Sequence, residues 1–279
     1  MRLVRALLRH ASGRIGGAII LIYLLLALAS AFGLMPHDPI FQDRIHRLSP
    51  PGATYWMGTD LFGRDIFSRL MVGIRQSFIV AFFSVAVAAL VGVTIGLLSA
   101  WWSGLWDATL MRLMDILLAF PAILLALLIV AVLGPGTYTS VLAIAIVYTP
   151  IFARVARGPA LSLKAREFVE AARTFGSSEF YILSRHLLLN LVAPLTVQVT
   201  LALAWALLTE ASLSFLGLGA QPPEPSLGLM LADSKDLMQS APWLMIFPGL
   251  AVLFGIMGFN LLGDALRDIV DPRSRARRA

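Results

Sequence analysis

Long apolar runs separated by short polar segments dominate the pattern of this 279-residue chain. A helix crosses the hydrocarbon core of a bilayer in about 20 residues and satisfies its own backbone hydrogen bonds there. Six runs have or approach this length: Ile15–Leu34, Ser77–Trp101, Leu113–Leu133, Ser140–Ala156, Leu191–Ser212 and Trp243–Leu262. The pattern therefore predicts an all-α integral membrane protein with six transmembrane helices.

The composition supports a membrane protein and narrows its chemistry. Hydrophobic residues make up 58% of the chain and charged residues 14%, whereas a soluble domain carries about 25% charged residues. The net charge of +6 comes from arginines at the ends of apolar runs, which does not indicate nucleic acid binding. There is no cysteine, the histidines are scattered, and no glycine-rich P-loop is present. We therefore expect no catalytic residue, metal site or bound cofactor in this chain.

The arginines also predict the orientation, because cytoplasmic loops carry an excess of Lys and Arg. Both termini and the segment between the fourth and fifth runs are basic, which places them in the cytoplasm. The basic residues of these three segments are Arg2, Arg5, Arg9, Arg14, Arg154, Arg157, Lys164, Arg166, Arg173, Arg185, Arg267, Arg273, Arg275, Arg277 and Arg278. The stretch Ala27–Gly33 also resembles a signal-peptide cleavage region, an alternative that stays open here.

The first external loop contains an amphipathic stretch, GTDLFGRDIFSRLMVGIRQS. Helical spacing places Phe62, Ile66, Leu70 and Ile74 on one face. The other face carries two pairs of opposite charges four residues apart, Asp60 with Arg64 and Asp65 with Arg69. These features predict a helix that lies along the outer membrane surface.

A second amphipathic segment lies between the fourth and fifth runs. Ala165, Phe168, Ala172 and Phe175 recur at helical spacing, and Gly176 follows where a left-handed residue would end the helix. Ser177 or Ser178 then caps a second helix that leads back into the membrane. Two interpretations remain open from the residues alone: an interfacial helix that anchors the loop in lipid, or a docking element for another protein.

The sequence of this segment resembles a known signature. EAARTFG, residues 170–176, is similar to the EAA motif of bacterial ABC importer permeases. The resemblance implies a cytoplasmic coupling helix at about 162–176 that docks on an ATPase subunit, with ATP and Mg²⁺ bound by the partner subunits. The residues that the motif implicates are Phe168, Glu170, Ala171, Ala172, Arg173 and Gly176. Leu189 departs from the family pattern, which has a proline there.

Further stretches resemble the dipeptide and oligopeptide C-subunit subfamily of these permeases. They are residues 58–77, residues 211–228 (with Leu227 at a position where the family usually has Trp) and residues 263–275. The resemblance implies a type I importer fold in the bacterial inner membrane. It also implies three kinds of partner: a homologous second permease, two ATPase subunits and an extracytoplasmic solute-binding protein. The implied division is 1–72, a permease domain at 73–262, and a basic tail at 263–279.

Polar residues at membrane depth are candidates for the transport pathway. Gln198 and Thr200 occupy the fifth run, and Glu210 lies close to its outer end, where interfacial solvation is the simpler expectation. Arg112 and Asp115 are three residues apart and are expected to pair with each other. Peptides are the expected cargo; nickel chelates, opines, glutathione or oligosaccharides are alternatives. An ion-driven secondary transporter and a membrane enzyme are the alternatives from other classes.

Overall fold

The computed structural model describes residue 7 and residues 10–270, and all the long elements in this part of the chain are helices. The arginines at positions 2, 5 and 9 and the basic tail from residue 271 lie outside the described residues. In chain order the helices are α1 Ala11–Ala31, α2 Ile66–Trp102, α3 Leu105–Leu118, α4 Ala122–Leu133, α5 Thr137–Lys164, α6 Glu167–Thr174, α7 Glu179–Tyr181, a π-helical segment Ile182–Leu187, α8 Leu188–Phe215, α9 Leu227–Ser234, a 3-10 turn Lys235–Leu237 and α10 Trp243–Val270.

Five of these helical stretches are long and apolar enough to cross a membrane, and α7 with α8 forms one of them. A sixth span results if α3 and α4 are taken together, although the two helices bend by 92° at their junction. Pro121 precedes α4 at this junction, where it cannot donate a backbone hydrogen bond. The predicted all-α fold is confirmed, but the third span, expected as one helix at Leu113–Leu133, is broken.

The predicted surface helix in the first external loop is wrong. Residues 66–76 form the outer third of α2, which runs without interruption for 37 residues. Ile66, Leu70 and Ile74 are buried against Leu227 and Met230 of α9, and not against lipid headgroups. The expected boundary between residues 72 and 73 therefore falls inside a continuous helix.

One of the two predicted charge pairs is confirmed at the start of α2. Asp60 and Arg64 form the expected pair, with the Arg64 Nε 2.6 Å from Asp60 Oδ2. Asp65 instead caps α2, because its Oδ2 accepts hydrogen bonds from the backbone N–H and hydroxyl of Ser68. Arg69 reaches Asp60, at 3.8 Å, so the predicted pair of Asp65 with Arg69 is wrong.

Close packing of α2 on α5 forms the centre of the bundle. A Cβ atom added at Gly92 would meet the Thr149 carbonyl oxygen, and one at Gly96 would meet the Ala153 carbonyl oxygen. These two glycines therefore bring the two helix backbones into contact, as small residues do at membrane helix interfaces. Around them, Val85, Ala88, Phe152 and other buried apolar side chains from α2, α4, α5 and α8 form the main core.

Candidate functional site

The helix α6 stands between two membrane helices and has well-defined ends. It begins after Arg166, with Glu167 and Glu170 in its first turn, where acidic side chains stabilise the helix dipole. At its end, the N–H of Ser177 donates to the Ala172 carbonyl and the N–H of Gly176 donates to the Arg173 carbonyl. Gly176 has φ +76°, so the predicted left-handed glycine is confirmed and completes a Schellman motif.

The apolar face that the sequence predicts for this helix does not face the protein. Ala165, Phe168 and Phe175 are exposed, with Phe175 88% exposed, and Ala172 is half-buried. The residue that anchors α6 is Val169, which is fully buried against a cluster that includes Trp101 and Leu187. The helix is also shorter than expected, since residues 162–164 still belong to α5.

The exposed side of α6 combines aromatic and charged groups. Phe168, Ala171 and Phe175 share one helical face, and Glu170 is exposed on the same helix, about 100° around the axis from Ala171; these four residues are called the α6 surface below. Among the described residues, the Glu170 side chain has no ion-pair partner within 4.0 Å. Exposed aromatic side chains are enriched on surfaces that another protein covers.

Two side chains join α6 and its neighbour α5 to the cytoplasmic end of α2. The Arg173 guanidinium stacks 4.4 Å from the centre of the Trp101 ring, and the indole is almost completely buried. Lys164 Nζ donates to the carbonyl oxygens of Ala100 and Trp101 and to the hydroxyl of Ser103. A cation at the C-terminus of a helix stabilises its dipole and its free carbonyl groups. These contacts connect α5 and α6 directly to the end of α2.

The chain re-enters the membrane through a continuous helical stretch. Ser178 accepts a hydrogen bond from the N–H of Tyr181, so it is the predicted cap of the second helix. The π-helical segment Ile182–Leu187 follows and places His186 5.9 Å from the Phe168 ring, centre to centre. Leu189, which stands at the position of the family's proline, lies exposed in the first turn of α8.

The ion pairs near the cytoplasmic ends of α3 and α5 differ from the prediction. Asp115 accepts a hydrogen bond from Arg154 Nη2 at 2.6 Å, so the expected pairing with Arg112 is wrong. Asp107 forms a bidentate pair with Arg157, at 2.7 and 2.5 Å. Both pairs link α3 to α5.

The three candidate pathway residues lie at different places along α8. Gln198 is half-buried, and Thr200 packs against α10, where a Cβ at Gly263 would lie 2.8 Å from its hydroxyl. Glu210 is 1% exposed, accepts a hydrogen bond from the Ser214 hydroxyl at 2.7 Å, and lies beside Ser77. The expectation that interfacial water solvates Glu210 is therefore wrong. A role in the pathway stays a prediction for all three.

Three residues that hold α6 in place were not predicted from the sequence: Trp101, Lys164 and Val169. Trp101 ends an apolar run, and tryptophan at such a position is the usual signal of a membrane interface. Lys164 was counted only toward the orientation. Its position in the last turn of α5 is a capping signal, although the helix that it caps is α2.

Comparison with known proteins supplies the family. Residues 92–276 match the family described as "Binding-protein-dependent transport system inner membrane component". The chain is 47% identical over 231 residues to the dipeptide transport system permease protein DppC of Alkalihalophilus pseudofirmus, covering 83% of this chain and 76% of the relative. It is 42% identical to the probable D,D-dipeptide transport system permease protein DdpC of Escherichia coli K12, covering 92% and 86%.

A third relative, the glutathione transport system permease protein GsiD of Pectobacterium atrosepticum, is 43% identical, with 91% of this chain and 86% of the relative covered. Among solved structures, an inward-facing MetNI methionine ABC transporter matches with a TM-score of 0.60 at 18% identity, covering 72% of this chain and 96% of that chain. An amino acid ABC transporter matches with a TM-score of 0.54 at 16% identity, covering 72% and 94%. These structures share the fold with this chain.

Proposed function

The chain belongs to the family of binding-protein-dependent transport system inner membrane components, as a permease subunit of an ABC importer, and we propose that it imports peptides by ATP-driven alternating access, with α6 as the coupling helix. ATP and Mg²⁺ are bound by partner ATPase subunits. Substrate is delivered on the outer side by a solute-binding protein, and a homologous second permease completes the pathway.

The observation that carries the proposal is the construction of α6. A surface with exposed phenylalanines and a glutamate that pairs with no cation among the described residues rests on a single buried valine and on the end of a membrane helix. A lipid anchor would favour Lys or Arg at the position of Glu170, because the cytoplasmic leaflet is negatively charged. A protein socket with a complementary basic group accounts for the glutamate and covers Phe168 and Phe175.

The contacts of α6 suggest how ATPase closure reaches the membrane. A docked ATPase that moves toward its partner would carry α6 with it. Arg173 and Lys164 would transmit this displacement to Trp101 and to the cytoplasmic end of α2. Because α2 packs closely on α5 at Gly92 and Gly96, the two helices would move together as one body.

The proposed cargo is a dipeptide or oligopeptide. Support comes from relatives whose names specify dipeptides, and from a relative named for glutathione, itself a short peptide. Uptake of a labelled dipeptide, dependent on ATP and unaffected by an ionophore, is the expected result. Uptake that an ionophore abolishes while ATP is maintained would favour the ion-driven alternative.

The docking role is tested by reversing one charge. Glu170→Lys should abolish co-purification of the ATPase subunits from gently solubilised membranes, because it places a cation against the proposed basic group. Glu224→Lys is the matched control, since Glu224 is exposed in the loop on the opposite side of the membrane. Equal recovery of ATPase with both variants would contradict the docking role of α6.

A further inference from the structure

An apolar groove of about 540 Å³ lies between α1 and α2, on the outer half of the bundle. This size falls within the range of about 300–1,000 Å³ typical of ligand sites. The floor is formed by Leu203 of α8 and Phe259 of α10. The walls include Ile20, Ala27, Leu28 and Ala31 of α1 and Arg75 and Phe78 of α2.

The depth of the groove corresponds to one leaflet of a bilayer. From Ile20 to Ala31 the axis of α1 rises about 16 Å, at about 1.5 Å per residue. The hydrocarbon core is about 30 Å thick, so this rise covers about half of it. Ala31 is the last residue of α1 and Ile20 lies near its middle. The groove therefore runs from the outer headgroup level to the centre of the membrane.

Arg75 is the charged residue of this groove and lies at its outer end. Its Nη1 donates one long hydrogen bond, 3.5 Å, to the Ser30 carbonyl near the end of α1. Within the described residues, no carboxylate lies within 4.0 Å of its guanidinium. Arg75 is half-buried at the outer headgroup level, where a lipid phosphate can serve as its anionic partner. A guanidinium binds phosphate through two parallel hydrogen bonds.

We propose that a phospholipid of the outer leaflet occupies this groove, with one acyl chain between α1 and α2 and its phosphate on Arg75. The apolar walls match a hydrocarbon chain, the length matches one leaflet, and the charge matches a headgroup at that level. The lipid would fill the space between α1 and the rest of the bundle. A helix of a second protein chain is the competing occupant, and the experiment below separates the two.

The assay counts the phospholipids that stay with the assembled transporter. The complex is reconstituted in vesicles of phosphatidylethanolamine and phosphatidylglycerol, extracted into detergent, and examined by native mass spectrometry during stepwise delipidation. We expect one phospholipid per copy of this chain to persist. Arg75→Gln should weaken its retention about tenfold, as for the loss of a hydrogen bond to a charged group. Arg47→Gln, an exposed arginine of the external loop, should retain it.

A second variant tests the apolar part of the site without changing Arg75. Ala27→Phe places a ring in the groove and should displace the same lipid, while the thermal unfolding temperature shows that the protein still folds. Equal lipid retention by wild type, Arg75→Gln and Ala27→Phe would overturn the proposal. Because the chain has no cysteine, Leu28→Cys also provides a single cross-linking position. An efficient cross-link from it to another protein chain would assign the groove to a protein interface and overturn the lipid site.

Discussion

The two ends of the bundle differ in how many contacts hold their segments in place. At the outer end, the loop of residues 32–65 and the helix α9 cover the ends of α2 and α8; together they are called the outer cap. At the inner end, α6 leaves two phenylalanines and a glutamate in solvent. The outer cap is held by many contacts within the chain, whereas α6 is held by few, and its exposed surface is the proposed docking site.

The contacts of the outer cap are dense. The Oδ1 of Asp60 accepts hydrogen bonds from the backbone N–H groups of Phe62 and Arg64, while its Oδ2 pairs with the Arg64 guanidinium. The Trp243 indole N–H donates to the Thr59 carbonyl at 3.3 Å. In the same loop, the hydrogen bond with His46 lowers the pKa of the Asp43 carboxyl, which also accepts from Tyr55. The loop is thereby held in one conformation above α2.

Because the two ends are held differently, mutations at the two ends should affect different properties of the protein. Changes in the outer cap should lower the stability of the isolated chain, because they break contacts within it. Changes on α6 should leave that stability nearly unchanged and act on the assembled transporter.

The largest effect is expected from Asp60→Ala. This variant removes the carboxylate that pairs with Arg64 and Arg69, whose side chains are only 12% and 3% exposed, and leaves the more distant Asp233 as their remaining acidic neighbour. Removing one partner of a buried ion pair costs about 3–5 kcal/mol. The unfolding temperature of the purified chain should fall accordingly. Asp236→Ala, at an exposed position in the 3-10 turn that follows α9, is the control and should unfold like wild type.

A smaller effect, on coupling, is expected from Gly176→Val. The left-handed conformation should strain a β-branched residue by about 1–3 kcal/mol. A Cβ at Gly176 meets no other atom within 4 Å, so the cost is conformational and not steric crowding. ATP hydrolysis should continue while peptide uptake falls. Gly176→Asn is the matched control, because asparagine tolerates this conformation. Equal uptake by both variants would show that the turn does not set the position of α6.

The smallest effect is expected from Arg173→Gln, which removes the stacking of the guanidinium on Trp101. A cation–π contact at such a site contributes about 0.5–1 kcal/mol. We expect a two- to fivefold lower ratio of uptake to ATP hydrolysis, within the range that follows from this energy. Arg166→Gln removes a neighbouring exposed charge without affecting Trp101 and should keep the wild-type ratio. A loss of the same size in both variants would indicate a general charge effect.

Most membrane spans could be predicted from the sequence, because an apolar run of about 20 residues is visible in the local sequence. The prediction fails where a segment that is distant in the chain determines which groups a residue contacts. Ile66, Leu70 and Ile74 form the apolar face that was expected, yet α9 covers that face in place of lipid headgroups. Glu210 lies near the end of its run, but α8 continues past it and the fold buries it beside Ser77.

The region around α6 shows the same difference between local features, which could be predicted, and long-range contacts, which could not. The glycine turn and the serine cap are local features, and both are found where they were predicted. The anchor of α6 was missed, because eight residues offer too few positions to tell a buried face from an exposed one. Val169 is identified only by the cluster around Trp101, which assembles from α2, α5, α6, the π-helical segment and α8.

The central claim, that the α6 surface is covered by an ATPase, is tested most directly by a cross-link from Phe175→Cys. This cysteine would be the only one in the chain, because the sequence contains none. In native membranes, a short bifunctional reagent that reacts with thiols and amines should join it to an ATPase subunit. The matched variant Trp56→Cys, at an exposed aromatic residue in the external loop, should give no such product. A Phe175→Cys chain that stays uncross-linked to any ATPase in a transport-competent membrane would contradict the account.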